Sequence, residues 1–215
     1  MVNNLRWIDG ALFILSVVAI GLSVWWAGES QALHLTALTT DADFVWHMIR
    51  ATGFVSYIFM AGSMFWGLWL STGMAKELSP GALSLNVHVT LSWIAVVLGV
   101  VHALLLLVDD RFPHTVINLI VPFSSSFRRV AGGMGVMGLW LSVAIAVSFP
   151  FKKRLTRKYW KLLHVSSYVG FVMVTIHTIL AGSDVDLLGM KVILVAINSL
   201  LMIFLTLRVI RHRKL

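Results

Sequence analysis

The sequence predicts an all-α integral membrane protein, a six-helix bundle with both termini in the cytoplasm. Three observations lead there. Of 215 residues, 59% are hydrophobic and 12% charged, against about 25% charged in ordinary soluble domains. Mean hydropathy is +0.89. The apolar residues gather into six runs, 8–27, 44–71, 85–108, 130–149, 162–181 and 188–207. About 20 residues, rising about 1.5 Å each, cross a hydrocarbon core, and every run reaches that length. No stretch remains for a separate soluble domain, so 1–215 reads as one membrane domain.

The run 8–27 follows a single side-chain cation, Arg6, and ends in Trp25-Trp26-Ala27 before Gly28 and Glu29. A tryptophan pair marks a membrane interface rather than a signal cleavage site, so this run is expected to remain a helix. Six crossings put both termini on one side. That side carries 12 of the 17 Lys and Arg residues: Arg6, Lys76, six within 152–161, and Arg208, Arg211, Arg213 and Lys214. The other side holds seven of the nine acids, Glu29, Asp41, Asp43, Asp109, Asp110, Asp184 and Asp186. The positive-inside rule makes the basic side cytoplasmic, and a multi-pass protein of a bacterial plasma membrane is expected. The formal charge of +8 lies in short connections between apolar runs, which argues against nucleic acid as a partner.

Two connections carry further signal. In 109–129, Phe112, Val116, Ile117, Leu119, Ile120 and Phe123 are spaced for a short helix lying in the bilayer interface. The connection 152–161 is strongly basic and ends in Tyr159 and Trp160. It reads as a solvated topology signal near anionic lipid heads, with docking of an acidic redox partner as the alternative.

With no cysteine, the chain has no disulfide, thiolate metal site or thioether-linked haem. Histidine, methionine or packing must hold any redox group. Four of the eight histidines form two pairs deep in two runs: His88 and His102 in the third, His164 and His177 in the fifth. Their separations correspond to about 21 and 20 Å of helix. In antiparallel helices His88 then meets His164 on the cytoplasmic side, and His102 meets His177 on the outer side. One intramembrane imidazole is ordinarily a hydrogen-bond partner between helices. Four matched in depth are suited to grip two iron porphyrins, each from both faces. The phase of the second pair is awkward, because thirteen residues end about 140° short of four whole turns. A distortion or a displaced haem is expected there, and Gly170 lies where a bend could form.

In these features the sequence resembles the ferric reductase-like transmembrane family, which includes the membrane halves of NADPH oxidases and ferric reductases and the haem subunit of bacterial methionine sulfoxide reductase systems. The resemblance covers nearly the whole chain. It rests on the six runs, on His88-x13-His102, on His164-x12-His177 and on Arg50-Ala-Thr-Gly53 at the outer start of the second run. It implies two non-covalent haem b groups with these four histidines as axial ligands, and Arg50 beside the outer haem's propionates or the reaction site. Oxidases and ferric reductases of this family continue into flavin and nicotinamide domains, and no such domain is expected within 1–215. A self-contained NAD(P)H-driven activity is therefore not expected.

Gly133-Met-Gly135-Val-Met-Gly138 matches G-x-G-x-x-G, but it lies inside an apolar run and follows no strand, so a dinucleotide site is rejected. With Gly132 it forms a smooth helical strip for close packing, or for contact with a porphyrin. Arg50, at the edge of a run, needs an anion: a haem propionate, Asp41 or Asp43. Arg128, Arg129 and Lys191 read as interfacial snorkelling residues. His47 reads as a hydrated side chain, and His114 with Asp109 and Asp110 as an ordinary polar loop rather than a cation site. The methionines mostly read as core filling, and Met60, Met64 or Met173 as a ligand would be superfluous beside four histidines.

The expected function is a di-haem b-type cytochrome carrying electrons across the bilayer. Its donor would be a separate flavoprotein or quinol and its acceptor would lie on the outer side, making the chain an oxidoreductase subunit. Two alternatives are a structural or electron-wire subunit of a larger respiratory or photosynthetic complex, and a histidine-based proton channel or transporter.

Overall fold

The computed structural model describes residues 42–72 and 81–212, and every element among them is helical. The helices are α1 (Ala42–Thr72), α2 (Gly81–Leu105), α3 (Val116–Ile120), α4 (Arg129–Ser148), α5 (Arg157–Val165), α6 (Ser167–Ala181) and α7 (Leu188–His212). Five segments are long and apolar enough to cross a membrane: Asp43–Ser71, Leu83–Leu105, Arg129–Ser148, Arg157–Ala181 and Leu188–Ile210. The expected first crossing, 8–27, lies outside the described residues.

The departures from the expected bounds have local causes. Helix α2 begins directly after Pro80, four residues before the apolar count. It ends at Leu105 because Leu106, Leu107 and Val108 donate to the carbonyls three residues back, tightening the last turn. Helix α7 runs past 207 to His212, since a helix does not end where the hydrocarbon does. The basic connection is not all loop. Thr156 caps a helix that starts at Arg157, its hydroxyl accepting from the Tyr159 amide, so Arg157, Lys158 and Lys161 stand on α5.

The fifth crossing, Arg157–Ala181, is interrupted at a single residue between α5 and α6. The break falls at Ser166, not at Gly170. Ser166 Oγ donates to the Leu163 carbonyl at 2.6 Å, and this back-bonding to the preceding turn bends helices. Gly170 instead sits inside α6, where a Cβ would lie 3.4 Å from Leu141.

Helix α1 packs closely on α2, and α4 on α6, while the two pairs meet each other more sparsely. The core lies where α1, α6 and α7 converge, on Tyr57, Ala61, Leu68, Phe171, Leu194 and Leu201. Tyr57 is 1% exposed and stacks on Phe171 with ring centres 5.5 Å apart. Its hydroxyl accepts from Asn198 Nδ2 at 3.0 Å and lies 3.3 Å from Thr175 Oγ1. Outward, α2 and α7 display Val97, Leu104, Leu188, Val195 and Met202, an apolar surface suited to lipid.

The acidic end is tied together by its arginines, and none of these ties is simple snorkelling. Arg128 Nη1 donates to the last carbonyls of α6, Leu180 and Ala181, at 2.8 and 2.9 Å. Arg129 Nε reaches the Phe123 carbonyl, and Arg111 forms an ion pair with Asp43. The short α3 lies where a connection helix is expected, and the Ile120 carbonyl accepts from Trp140 Nε1 on α4 at 3.1 Å.

Candidate functional site

Three of the four intramembrane histidines are placed by a neighbouring helix and the fourth, His164, by its own. His88 and His102 come from α2, His164 from α5 and His177 from α6. The rings of His88 and His164 lie 6.0 Å apart at 75°, and those of His102 and His177 lie 6.0 Å apart at 79°. The break at Ser166 puts His164 and His177 on separate helices, so the phase of one ideal helix no longer relates them.

Three rings share one kind of support. His88 Nδ1 lies 2.9 Å from the Ser63 carbonyl, His102 Nδ1 2.8 Å from that of Ile49, and His177 Nδ1 2.8 Å from that of Ala131. A carbonyl only accepts, so each Nδ1 carries the proton and each Nε2 is left with its lone pair. The same rings lie against glycines. A Cβ at Gly67 would stand 3.0 Å from His88, at Gly53 2.7 Å from His102, and at Gly135 2.7 Å from His177. Only a residue without a side chain lets an imidazole come so close to the helix backbone. His164 has a different support, the Trp160 ring one turn earlier, stacked at 5.0 Å and 9°.

Both pairs line one cavity of about 540 Å³ between the two helix pairs. It runs from Arg50 and Asp184 at the acidic end to Trp160 and Phe149 at the basic end, within the roughly 300–1,000 Å³ typical of ligand sites. Its middle is bordered by small and aliphatic residues, among them Ser92, Val96, Gly99, Val136 and Leu139. The glycine strip of α4 divides its duties. Gly132 borders the cavity, Gly133 faces the Phe123 ring, Gly135 beds His177, and Gly138 approaches Val174 and the Gly170 carbonyl.

Arg50 finds an anion that the sequence did not indicate. Its Nε donates to Asp184 Oδ2 at 2.8 Å and its Nη2 to Asp184 Oδ1. Asp43 is engaged by Arg111 instead, and Asp41 lies outside the described residues. Sequence reasoning missed Asp184 as a partner, the carbonyls of Ile49, Ser63 and Ala131, and the bed formed by Gly67. The one available signal was that Asp184 belongs to the acidic set at the same depth as Arg50. His47 is exposed and bonds the Asp43 carbonyl of its own helix. His114 bonds the Phe112 carbonyl and borders the cavity. Among the described residues no group of three or more His, Asp or Glu is assembled to hold a metal ion.

Among the described residues, fold and site together define an all-helical protein with five segments able to cross a membrane and two facing histidine pairs along one internal cavity. Comparison with family models, with curated proteins and with solved structures found no match.

Proposed function

We propose that the chain is a membrane di-haem b-type cytochrome, with His88 and His164 gripping one haem and His102 and His177 the other. One observation carries the reading: two imidazole pairs, each with ring centres 6.0 Å apart, on one continuous cavity. Two nitrogens each about 2.0 Å from a metal, with ring centres about 1.1 Å behind them, place those centres about 6.2 Å apart. Two protein ligands alone are too few for a bare ion. They suit a metal whose remaining positions are filled by its own macrocycle. Glycines and aliphatic side chains supply most of the largely apolar lining that such a group needs.

Bound iron porphyrin would supply one-electron transfer, and His88, His164, His102 and His177 are the residues that would hold it. The chain's residues do the rest. The Nδ1–H bonds to Ile49, Ser63 and Ala131 orient the rings, fix the ligating tautomer and raise the basicity of Nε2. Arg50, lining the acidic end of the cavity beside Asp184, keeps a guanidinium nitrogen available to an anionic edge such as a propionate. The basic end, with Lys152, Lys153, Arg154, Arg157, Lys158 and Lys161, is the cytoplasmic end by the positive-inside rule. Electrons would pass between a flavoprotein or quinol there and an acceptor outside, a division of labour that fits the ferric reductase-like resemblance.

The test is a reduced-minus-oxidised spectrum with pyridine haemochrome quantification on the purified chain. Two b haems per chain are expected, falling in His88→Ala and in His177→Ala. Full haem content in both variants would remove these ligands. A colourless protein with pH-dependent conductance would replace the reading with a proton channel.

A further inference from the structure

The two histidine pairs have the same spacing and unequal support. His102 and His177 each have a carbonyl on Nδ1 and a glycine under the ring, and so does His88. His164 has neither. It stands on the nine-residue α5, before the one-residue interruption at Ser166. What meets its ring is Trp160, nearly parallel at 5.0 Å. Residues four apart share a helix face, and side chains lean towards the preceding turn, so this stack follows directly from the local sequence Trp160-Lys-Leu-Leu-His164. Trp160 and His164 both border the cavity. The half-buried indole thus lies at the basic mouth, with one face spent on the ligand ring.

We infer that Trp160 is a positioning residue for His164, holding by stacking the one ligand ring that lacks a backbone anchor. The inference rests on the di-haem reading above. Stacking restrains the plane of an imidazole but not which nitrogen carries its proton. The His88/His164 site is therefore the more adjustable of the two, and its ligand geometry depends on one side chain. An indole deletion removes a restraint acting on that site alone, because the other three rings are fixed through α1 and α4. Aromatic stacking changes an equilibrium by roughly twofold to tenfold, and loss of an outer-shell partner weakens a metal site by about 10-fold to 100-fold.

The experiment compares the full-length purified protein with Trp160→Phe, Trp160→Leu and Trp160→Ala. Haem is counted by pyridine haemochrome, and the two low-spin ferric signals are resolved by electron paramagnetic resonance with a redox titration of each. Trp160→Leu and Trp160→Ala are expected to shift or lose one signal and lower haem towards one per chain, leaving the second signal and its midpoint unchanged. Trp160→Phe, which keeps a ring to stack, is expected to restore the wild-type spectrum. Unchanged spectra in the leucine and alanine variants, or equal loss of both signals, or no rescue by phenylalanine, would overturn the role of Trp160 while leaving the di-haem reading intact. A wild-type protein without haem would overturn both.

Discussion

Replacing Gly135 by alanine places a methyl group against a ring that has little freedom to move. The new Cβ would stand 2.7 Å from His177 Nδ1 and 2.9 Å from Cε1. Ordinary contact begins at about 3.5 Å, so the ring must retreat by about 0.8 Å. Its anchor, the Ala131 carbonyl at 2.8 Å, belongs to the same helix as the methyl group. Retreat from α4 therefore stretches that bond to about 3.6 Å, beyond hydrogen-bonding range. Overpacking costs about 1–3 kcal/mol and the lost bond about 1 kcal/mol. Alanine returns about 1 kcal/mol of helix propensity, so the net destabilisation is about 1–3 kcal/mol. Gly189→Ala on α7 is the matched control: no atom lies within 4 Å of its Cβ, and it should gain up to about 1 kcal/mol. For a chain of this length the two variants should differ by roughly 5–15 °C in unfolding temperature, measured by circular dichroism in detergent. A Gly135→Ala protein melting at or above the Gly189→Ala protein would refute the reasoning that His177 is bedded on this glycine.

Two further outcomes follow from single contacts. In a double-mutant cycle, Arg50→Ala and Asp184→Ala should be less than additive by about 1–2 kcal/mol, because each strands the other's partly buried charge; simple additivity in thermal unfolding would dismiss the pair. Tyr57→Phe removes the hydroxyl that accepts from Asn198 and should cost about 1–2 kcal/mol. It should leave the ligand-site spectra untouched, and a spectral change would show that this network reaches the histidines.

The legible and illegible parts of this chain separate along a physical line. Crossing helices are written in composition, because hydrocarbon tolerates so few residue types. The four histidines stand out for the same reason, since an imidazole at that depth needs a partner, and antiparallel neighbours of similar length were enough to match His88 with His164 and His102 with His177. What supports those rings was not legible. The Ile49, Ser63 and Ala131 carbonyls are backbone atoms, identical at every residue, and only the packing of α2 on α1 and of α6 on α4 selects them. Asp184 lies 134 positions from Arg50, and nothing local links the two. The break at Ser166 had a local signal, a serine pair following His164, but Gly170 carried the stronger breaker reputation. In the structure Gly170 serves close packing instead.

The placement of the core explains how the cavity can lie open between helices without loosening the bundle. Tyr57, Ala61 and Leu68 of α1 meet Phe171 of α6 and Leu194 and Leu201 of α7, and the Tyr57–Asn198 bond fastens the same three helices. None of these side chains borders the cavity. The opposite faces of α1 and α6, with α2 and α4, form its walls, where glycines and carbonyls hold the imidazoles. The fully buried side chains thus stand off the cavity, while Met60, Met64, Val174, Val185 and Met190 pack against them and also border it. Removing one imidazole leaves the fully buried cluster complete, and a change in ligand content in His88→Ala or His177→Ala is assigned to the lost nitrogen when the unfolding temperature stays at the wild-type value.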